Sequence, residues 1–327
     1  MVISKTPLRI SFFGGGTDLP SFYESSGYGA VLSTSIDSYI YTTVKKHADI
    51  FLEKYRLNYS ETEQTNDVNQ IKNPIIRECI KYLDITDSIY ISTIADLPGS
   101  SGLGSSSSFC VGLLMALYRY KGEDVSTGRL ARDAAHIEID LLKRPIGKQD
   151  HYAAAFGGLN YFRFNDDESV EVRPIELSED QKRFLETTLS LHFVGGSRQA
   201  SNILGRVKQA LDQGDEFASL ILIRQQADEL LGFFKNHEKP NIGSTLSEGW
   251  RLKKRLTYGV SNTQIERILS IAEEKGMMGG KLLGAGGNGF LLLQHEDSKS
   301  LISTLGSRHI PFQFDNSGTE VLFNDHQ

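Results

Sequence analysis

Residues 97–117 read LPGSSGLGSSSSFCVGLLMAL, a Gly/Ser run without charge directly before an apolar run without charge. Such a stretch can be a membrane segment, a flexible linker or a phosphate cradle. No residue from Leu97 to Tyr118 is charged, but the first half is mostly Gly and Ser, and the apolar part, FCVGLLMALY, is about half the ~20 residues that a bilayer requires. Apolar residues on every face mean a helix surrounded by protein. The stretch therefore predicts a loop that opens into a buried helix over 105–120.

Two familiar nucleotide fingerprints fail here. Gly99 and Gly104 have the G-x-x-x-x-G spacing, but Ser105 stands where the P-loop lysine belongs; Gly102 and Gly104 begin a G-x-G-x-x-G that has Ser107 for its third glycine. What remains is a glycine loop at a helix N-terminus. Its backbone N–H groups are unpaired and converge, and the helix dipole favours an anion there. Ser105 to Ser108 add hydroxyls suited to phosphate oxygens or Mg²⁺. From these residues alone, a serine that caps a core helix behind a surface turn is an equal reading.

The 327 residues are enough for two lobes. Apolar content of 39% and charged content of 23% are those of a globular chain. A formal charge of −6 offers no basic field for nucleic acid or anionic lipid, which points to small-molecule work. Cys79 and Cys110 belong to no metal or CxxC pattern and read as free thiols in a reducing compartment. The first residues, MVISKTPLRI, lack a signal peptide's apolar core and cleavage site, so a cytoplasmic location is expected.

PLRISFF alternates, with Leu8, Ile10 and Phe12 on one face and Arg9, Ser11 and Phe13 on the other, as in a strand. Further strands are expected in 30–46, 51–60, 88–98 and 159–167, with helices at 71–83, 105–120 and 126–143. Long helical patterns follow at 197–214, 216–236 and 262–276, then the strand GFLLLQH and further strands near the end. A second α+β lobe is placed after residue 180, giving units 1–180 and 181–327 packed closely together.

Two more glycine stretches accompany the first. FFGGGTDLP leaves a strand through three glycines and presents Thr17 and Asp18; an Asp at such a mouth suits sugar hydroxyls, and a tight Asx turn is the plain alternative. KLLGAGGNGFLLL matches G-x-G-x-x-G at Gly284, Gly286 and Gly289, but a strand follows it, so it reads as a glycine hairpin or as a backbone wall against a ligand. Glu138 lies on a helix, and Asp150 follows a Pro/Gly turn, where an N-cap is the ordinary role. His136 and Asp140 share a helix face with no third ligand in reach.

Taken in order, PLRISFFGGGTD, LPGSSGLGSSSS, GKQDHYAAAFGG and GAGGNGF resemble the motifs of the GHMP small-molecule kinases over essentially the whole chain. Galactokinases carry G-E-H-T-D in the first motif, whereas FFGGGTDLP with GKQDHYAAAFGG looks like the kinases of D-glycero-D-manno-heptose 7-phosphate, with fucokinase domains as relatives. The resemblance implies an α+β, two-lobed architecture: an N-terminal lobe like ribosomal protein S5 domain 2 and a ferredoxin-like C-terminal lobe, the site between them. It implies ATP on the loop Pro98, Gly99, Ser100, Ser101, Gly102, Leu103, Gly104, Ser105, Ser106 and Ser107. Ser106 and Glu138 would be the Mg²⁺ ligands, with SSSS leaving Ser105 and Ser107 as alternatives to Ser106. Asp150 would orient or deprotonate the accepting hydroxyl and Arg9 would lie near the reacting oxygens. Gly16, Thr17 and Asp18 would meet the sugar, and Gly286 and Gly287 would line the site from the second lobe. A phosphorylated sugar also needs a cation, for which Arg198, Lys253 and Lys254 are candidates.

Overall fold

The computed structural model describes every residue except 49, 196–204, 207–216, 257–258, 306–307 and 326–327. Its largest layer is a nine-stranded sheet built around β1 (Val2–Phe13) and β2 (Tyr28–Lys46), which pair antiparallel along most of their length. On its other edge β2 pairs in turn with β6 (Leu159–Asn165), β12 (Phe314–Asp315) and β5 (Ile89–Ala95). The sheet is completed by β3 (Tyr55–Asn58), β4 (Thr62–Thr65), β7 (Val170–Pro174) and β13 (Glu320–Asn324). Of the strand expected at 51–60, only Tyr55–Asn58 pairs, parallel to β5.

Alternation along β1 sends Leu8, Ile10 and Phe12 to one face and turns Arg9 and Ser11 to the other. Phe13, expected beside Arg9, joins the cluster of Phe12 instead, because the register against β2 shifts between Ser11 and Phe13. The Arg9 face is covered by α2 (Pro74–Tyr82), α3 (Ser105–Tyr120), α4 (Thr127–Ala135) and α5 (Gln149–Phe156). The helix α3 has the bounds that the sequence predicts and is buried on nearly all sides. Gly112 lets it press against β1, where a Cβ would stand 2.5 Å from Thr6 Oγ1, and Ser108 Oγ donates to the Pro7 carbonyl at 2.9 Å.

The helix expected over 126–143 is divided: α4 ends at Ala135 and His136–Leu141 continues as a wider π-helical turn. A short helix, α1 (Pro20–Ser26), follows the glycines of FFGGGTDLP. Beyond β7 come α6 (Glu179–Thr188), β8 (Leu189–Phe193), α7 (Phe217–Asn236), α8 (Gly243–Leu256) and α9 (Thr263–Glu274). Next are β9 (Gly279–Leu282), β10 (Phe290–Gln294), α10 (Ser298–Leu305) and β11 (His309–Ile310). Here a second sheet runs in the order β11-β8-β10-β9, all antiparallel, so the third glycine stretch is the hairpin between β9 and β10. Most of the helix expected at 197–214 lies outside the described residues.

The fold is thus α+β with two sheets. One apolar cluster joins Leu8, Ile10, Leu32 and Ile36 of the first sheet to Leu191, Phe234, Phe290 and Leu292 of the second half. Sheet membership changes after β7, and β12 and β13 return to the first sheet. A boundary at 180/181 with a two-lobed split remains our proposal for the body of the chain. Among the described residues no helix is long and apolar enough to cross a membrane.

Candidate active site

Arg9 is the hub at which the motifs meet. Its backbone N–H donates to the Leu103 carbonyl at 3.1 Å and its Nη1 to the Gly102 carbonyl at 2.7 Å. Its Nε and Nη2 donate to the two oxygens of Asp150, each at 2.7 Å. This fork-to-fork geometry fixes both side chains in one plane. Asp150 therefore does not cap α5: Lys148 is the cap residue, and Asp150 stands in the first turn with its carboxylate turned to the strand.

The true partner of the start of α5 comes from the stretch FFGGGTDLP. Asp18 accepts from the Gln149 backbone N–H (3.1 Å), from Gln149 Nε2 (2.9 Å) and from the Gly16 N–H (3.0 Å). Gln149 Oε1 in turn accepts from Ser11 Oγ at 2.7 Å. Burial raises the pKa of Asp18, against the lowering effect of its bond from Gln149. Gly147 is required beside it, since a Cβ there would overlap the Asp18 carboxylate.

The Gly/Ser loop before α3 adopts the backbone of an anion cradle. Ser100, Gly102 and Gly104 all have left-handed φ angles (59°, 85° and 78°), the alternation that turns successive N–H groups to one side. Gly104 is the N-cap of α3 and no side chain caps the helix, so the capping role open to Ser105 or Ser106 is not taken. The glycine hairpin backs this loop directly: a Cβ on Gly102 would stand 2.8 Å from the Leu283 carbonyl oxygen.

On the far side of the loop, Ser106 Oγ donates to Glu138 Oε1 at 2.8 Å. The π-helical turn delivers Glu138 here, fully buried, and His151 holds its other oxygen, Oε2, at 2.9 Å. Arg144 Nη1 completes the group by donating to Ser106 Oγ (2.6 Å) and to Glu138 Oε1. Burial alone would raise the Glu138 pKa, but the His151 hydrogen bond and charge, Arg144 and Ser106 together hold it at about 2.

A cavity of about 510 Å³ opens between these groups and the second half of the chain. It gathers Arg9, Asp18, Gly16, Glu138, Asp150 and Gly286 of the expected site, together with Ser100, Gly102, Gly104, Ser105, Ser106 and Ser107 of the loop. Other expected residues stand apart from it. Pro98 and Gly99 are exposed outside it, and Ser101 and Leu103 are buried behind it. Thr17 is buried and locked to Gly14 and Ala30, and Gly287 donates to the Val260 carbonyl and accepts from Asn262. Of the three cation candidates, Lys253 lines the cavity, Lys254 pairs with Glu266 on the surface, and Arg198 lies outside the described residues. His136 and Asp140 bond to each other on the surface.

Four participants were not singled out from sequence: Gln149, His151, Arg144 and Lys281. Lys281, buried on β9, reaches across to the Ser11 and Phe12 carbonyls at 3.1 and 2.8 Å, and burial pushes its pKa well down. The run Gln149-Asp150-His151 beside AAAF was the available signal, three polar residues at the start of a buried helix. The contact of Arg144, a half-exposed loop residue, has no such signature.

Comparison with known proteins bears on this geometry. Residues 71–158 match the model for the GHMP kinases N terminal domain and residues 230–309 that for GHMP kinases C terminal. The chain is 31% identical over 308 residues to a D-glycero-alpha-D-manno-heptose 7-phosphate kinase of Campylobacter jejuni, covering 90% of each. It is 25% identical to a bifunctional fucokinase/GDP-fucose pyrophosphorylase of Arabidopsis thaliana over 90% of this chain and 30% of that protein. A crystal structure of a D-glycero-D-manno-heptose 1-phosphate kinase from Bacteroides thetaiotaomicron superposes with a TM-score of 0.78 at 25% identity, over 99% of both chains.

Proposed function

The chain belongs to the GHMP kinases, a family of phosphotransferases, and from that premise we propose that it transfers the γ-phosphoryl group of ATP to the anomeric hydroxyl of D-glycero-D-manno-heptose 7-phosphate. The product is the 1,7-bisphosphate. The observation that carries this reading is the charge of the cavity. In a chain of net charge −6, four basic side chains (Arg9, Arg144, Lys253, Lys281) line it against three acidic ones (Asp18, Glu138, Asp150). Such a lining suits a ligand set with several phosphates.

In this reading the acceptor oxygen forms its bond to the γ-phosphorus as the bond to the bridging oxygen of ADP breaks, and the hydroxyl proton passes to Asp150. Asp150 keeps lone pairs free after accepting from Arg9, so it can both be held and accept. An anomeric hydroxyl is more acidic than an ordinary alcohol, so orientation counts for more than base strength. The cradle of Ser100 to Ser107 holds the nucleotide phosphates, and Arg9 adds positive charge at the site of transfer. Ser106 and Glu138 are a hydroxyl and an ionised carboxylate already bridged by a cationic nitrogen, and such hard oxygen donors fit Mg²⁺. Bound there, Mg²⁺ would neutralise phosphate charge. Asp18 meets the sugar with lone pairs left over from its clamp on α5, and Lys253 meets the 7-phosphate.

A mass-spectrometric screen of free sugars and sugar 7-phosphates with ATP and Mg²⁺ tests the reading. Turnover of the heptose 7-phosphate supports it, whereas turnover of L-fucose alone moves the assignment to the fucokinases, the second reading that the Arabidopsis relative favours.

A further inference from the structure

Arg144 sits in the loop between the π-helical turn and α5, anchored by its own N–H to the Glu138 carbonyl at 3.0 Å. One guanidinium nitrogen, Nη1, touches both Ser106 Oγ and Glu138 Oε1. Those are the two oxygens proposed above to hold a divalent cation, and the inference rests on that reading. A fully buried carboxylate must be paired, and here the pairing is shared between His151 on one oxygen and Arg144 on the other.

The two partners of Glu138 differ in freedom. His151 is wholly buried within α5 and stays where it is; the Arg144 side chain is 31% exposed and lines the cavity. Rotation about its side-chain torsions is enough to carry the guanidinium away while the backbone bond to Glu138 holds. A cation arriving at Ser106 and Glu138 would meet the positive Arg144 nitrogen in contact with the same oxygens.

We propose that Arg144 is the counter-cation of Glu138, that it and a divalent cation bind Ser106 and Glu138 in mutually exclusive fashion, and that the metal displaces its guanidinium into the cavity. Displaced, its planar donors face the space proposed for the phosphates, which they match in geometry. Arg144 thus keeps Glu138 paired before the metal arrives and discourages bare metal from occupying the site.

Binding of Mn²⁺ to the nucleotide-free protein, followed by electron paramagnetic resonance of the free ion, tests this without turnover. Arg144→Gln is expected to bind Mn²⁺ about tenfold more tightly than the unaltered protein, the scale on which neighbours of metal ligands act. Arg144→Lys, which keeps the charge, is expected to bind as the unaltered protein does. Adding Ser106→Ala or Glu138→Gln to Arg144→Gln is expected to abolish the gain; using both guards against a misfolded Glu138 variant. Equal or weaker Mn²⁺ binding by Arg144→Gln overturns the exclusion, as does an equal gain in Arg144→Lys. A gain that survives both additions overturns the ligand reading of Ser106 and Glu138 instead, and the inference with it.

Discussion

At the residue scale, the carboxylates divide the work by what surrounds them. Asp150 is held by the Arg9 fork, so Asp150→Asn should lower kcat by about 10²–10⁴-fold, the range of general-base help, with circular dichroism unchanged. Glu138 is held ionised, with its pKa at about 2 against the ordinary 4.5. Its folded pKa is depressed, so its contribution to stability is complete above about 4.5 and is lost as pH falls towards 2. Acid unfolding of Glu138→Gln should therefore depend less steeply on pH across that window. Lys253 is the converse case: burial first, and Arg9 beside it, bring its pKa down to about 8. If its charge meets the acceptor's phosphate, kcat/KM for the sugar phosphate falls as pH rises through 8, and in Lys253→Met that limb disappears.

At the element scale, precision comes from glycine contacts and from one irregular turn. Gly147→Ala should push the Asp18 carboxylate off Gln149 and shift the start of α5, where an error of about 1 Å in Asp150 can cost 10²-fold in turnover. Steady-state kinetics beside a thermal melt will separate that loss from unfolding. The bounds of α3 were legible because an uncharged apolar run too short to span a bilayer reads as a buried helix, and β1 was legible by alternation. The π-helical turn was not, since apolar spacing over 126–143 carries no mark of one widened turn. Yet that turn buries Glu138 against Ser106. The Arg9–Asp150 fork joins residues 141 apart in sequence, so each was visible as a candidate while their pairing belongs to the tertiary fold alone.

For the molecule as a whole, the cavity is shaped by elements from both halves, and so is the core. Phe12 and Ile36 share an apolar cluster with Leu191, Phe234 and Phe290, and Lys281 ties β9 to β1. Unfolding in denaturant should accordingly give one transition, coincident by fluorescence and circular dichroism; two separated transitions would mean that the halves are independent. The order of the four motifs made the family legible, whereas the return of β12 and β13 to the first sheet has no sequence signal beyond short apolar runs. The central claim is transfer to the anomeric oxygen of a heptose 7-phosphate, and phosphorus NMR of the product made from that sugar, ATP and Mg²⁺ tests it most directly. The account predicts a new anomeric phosphoester with the 7-phosphate retained. No transfer, or a new phosphoester at any other hydroxyl, would contradict it.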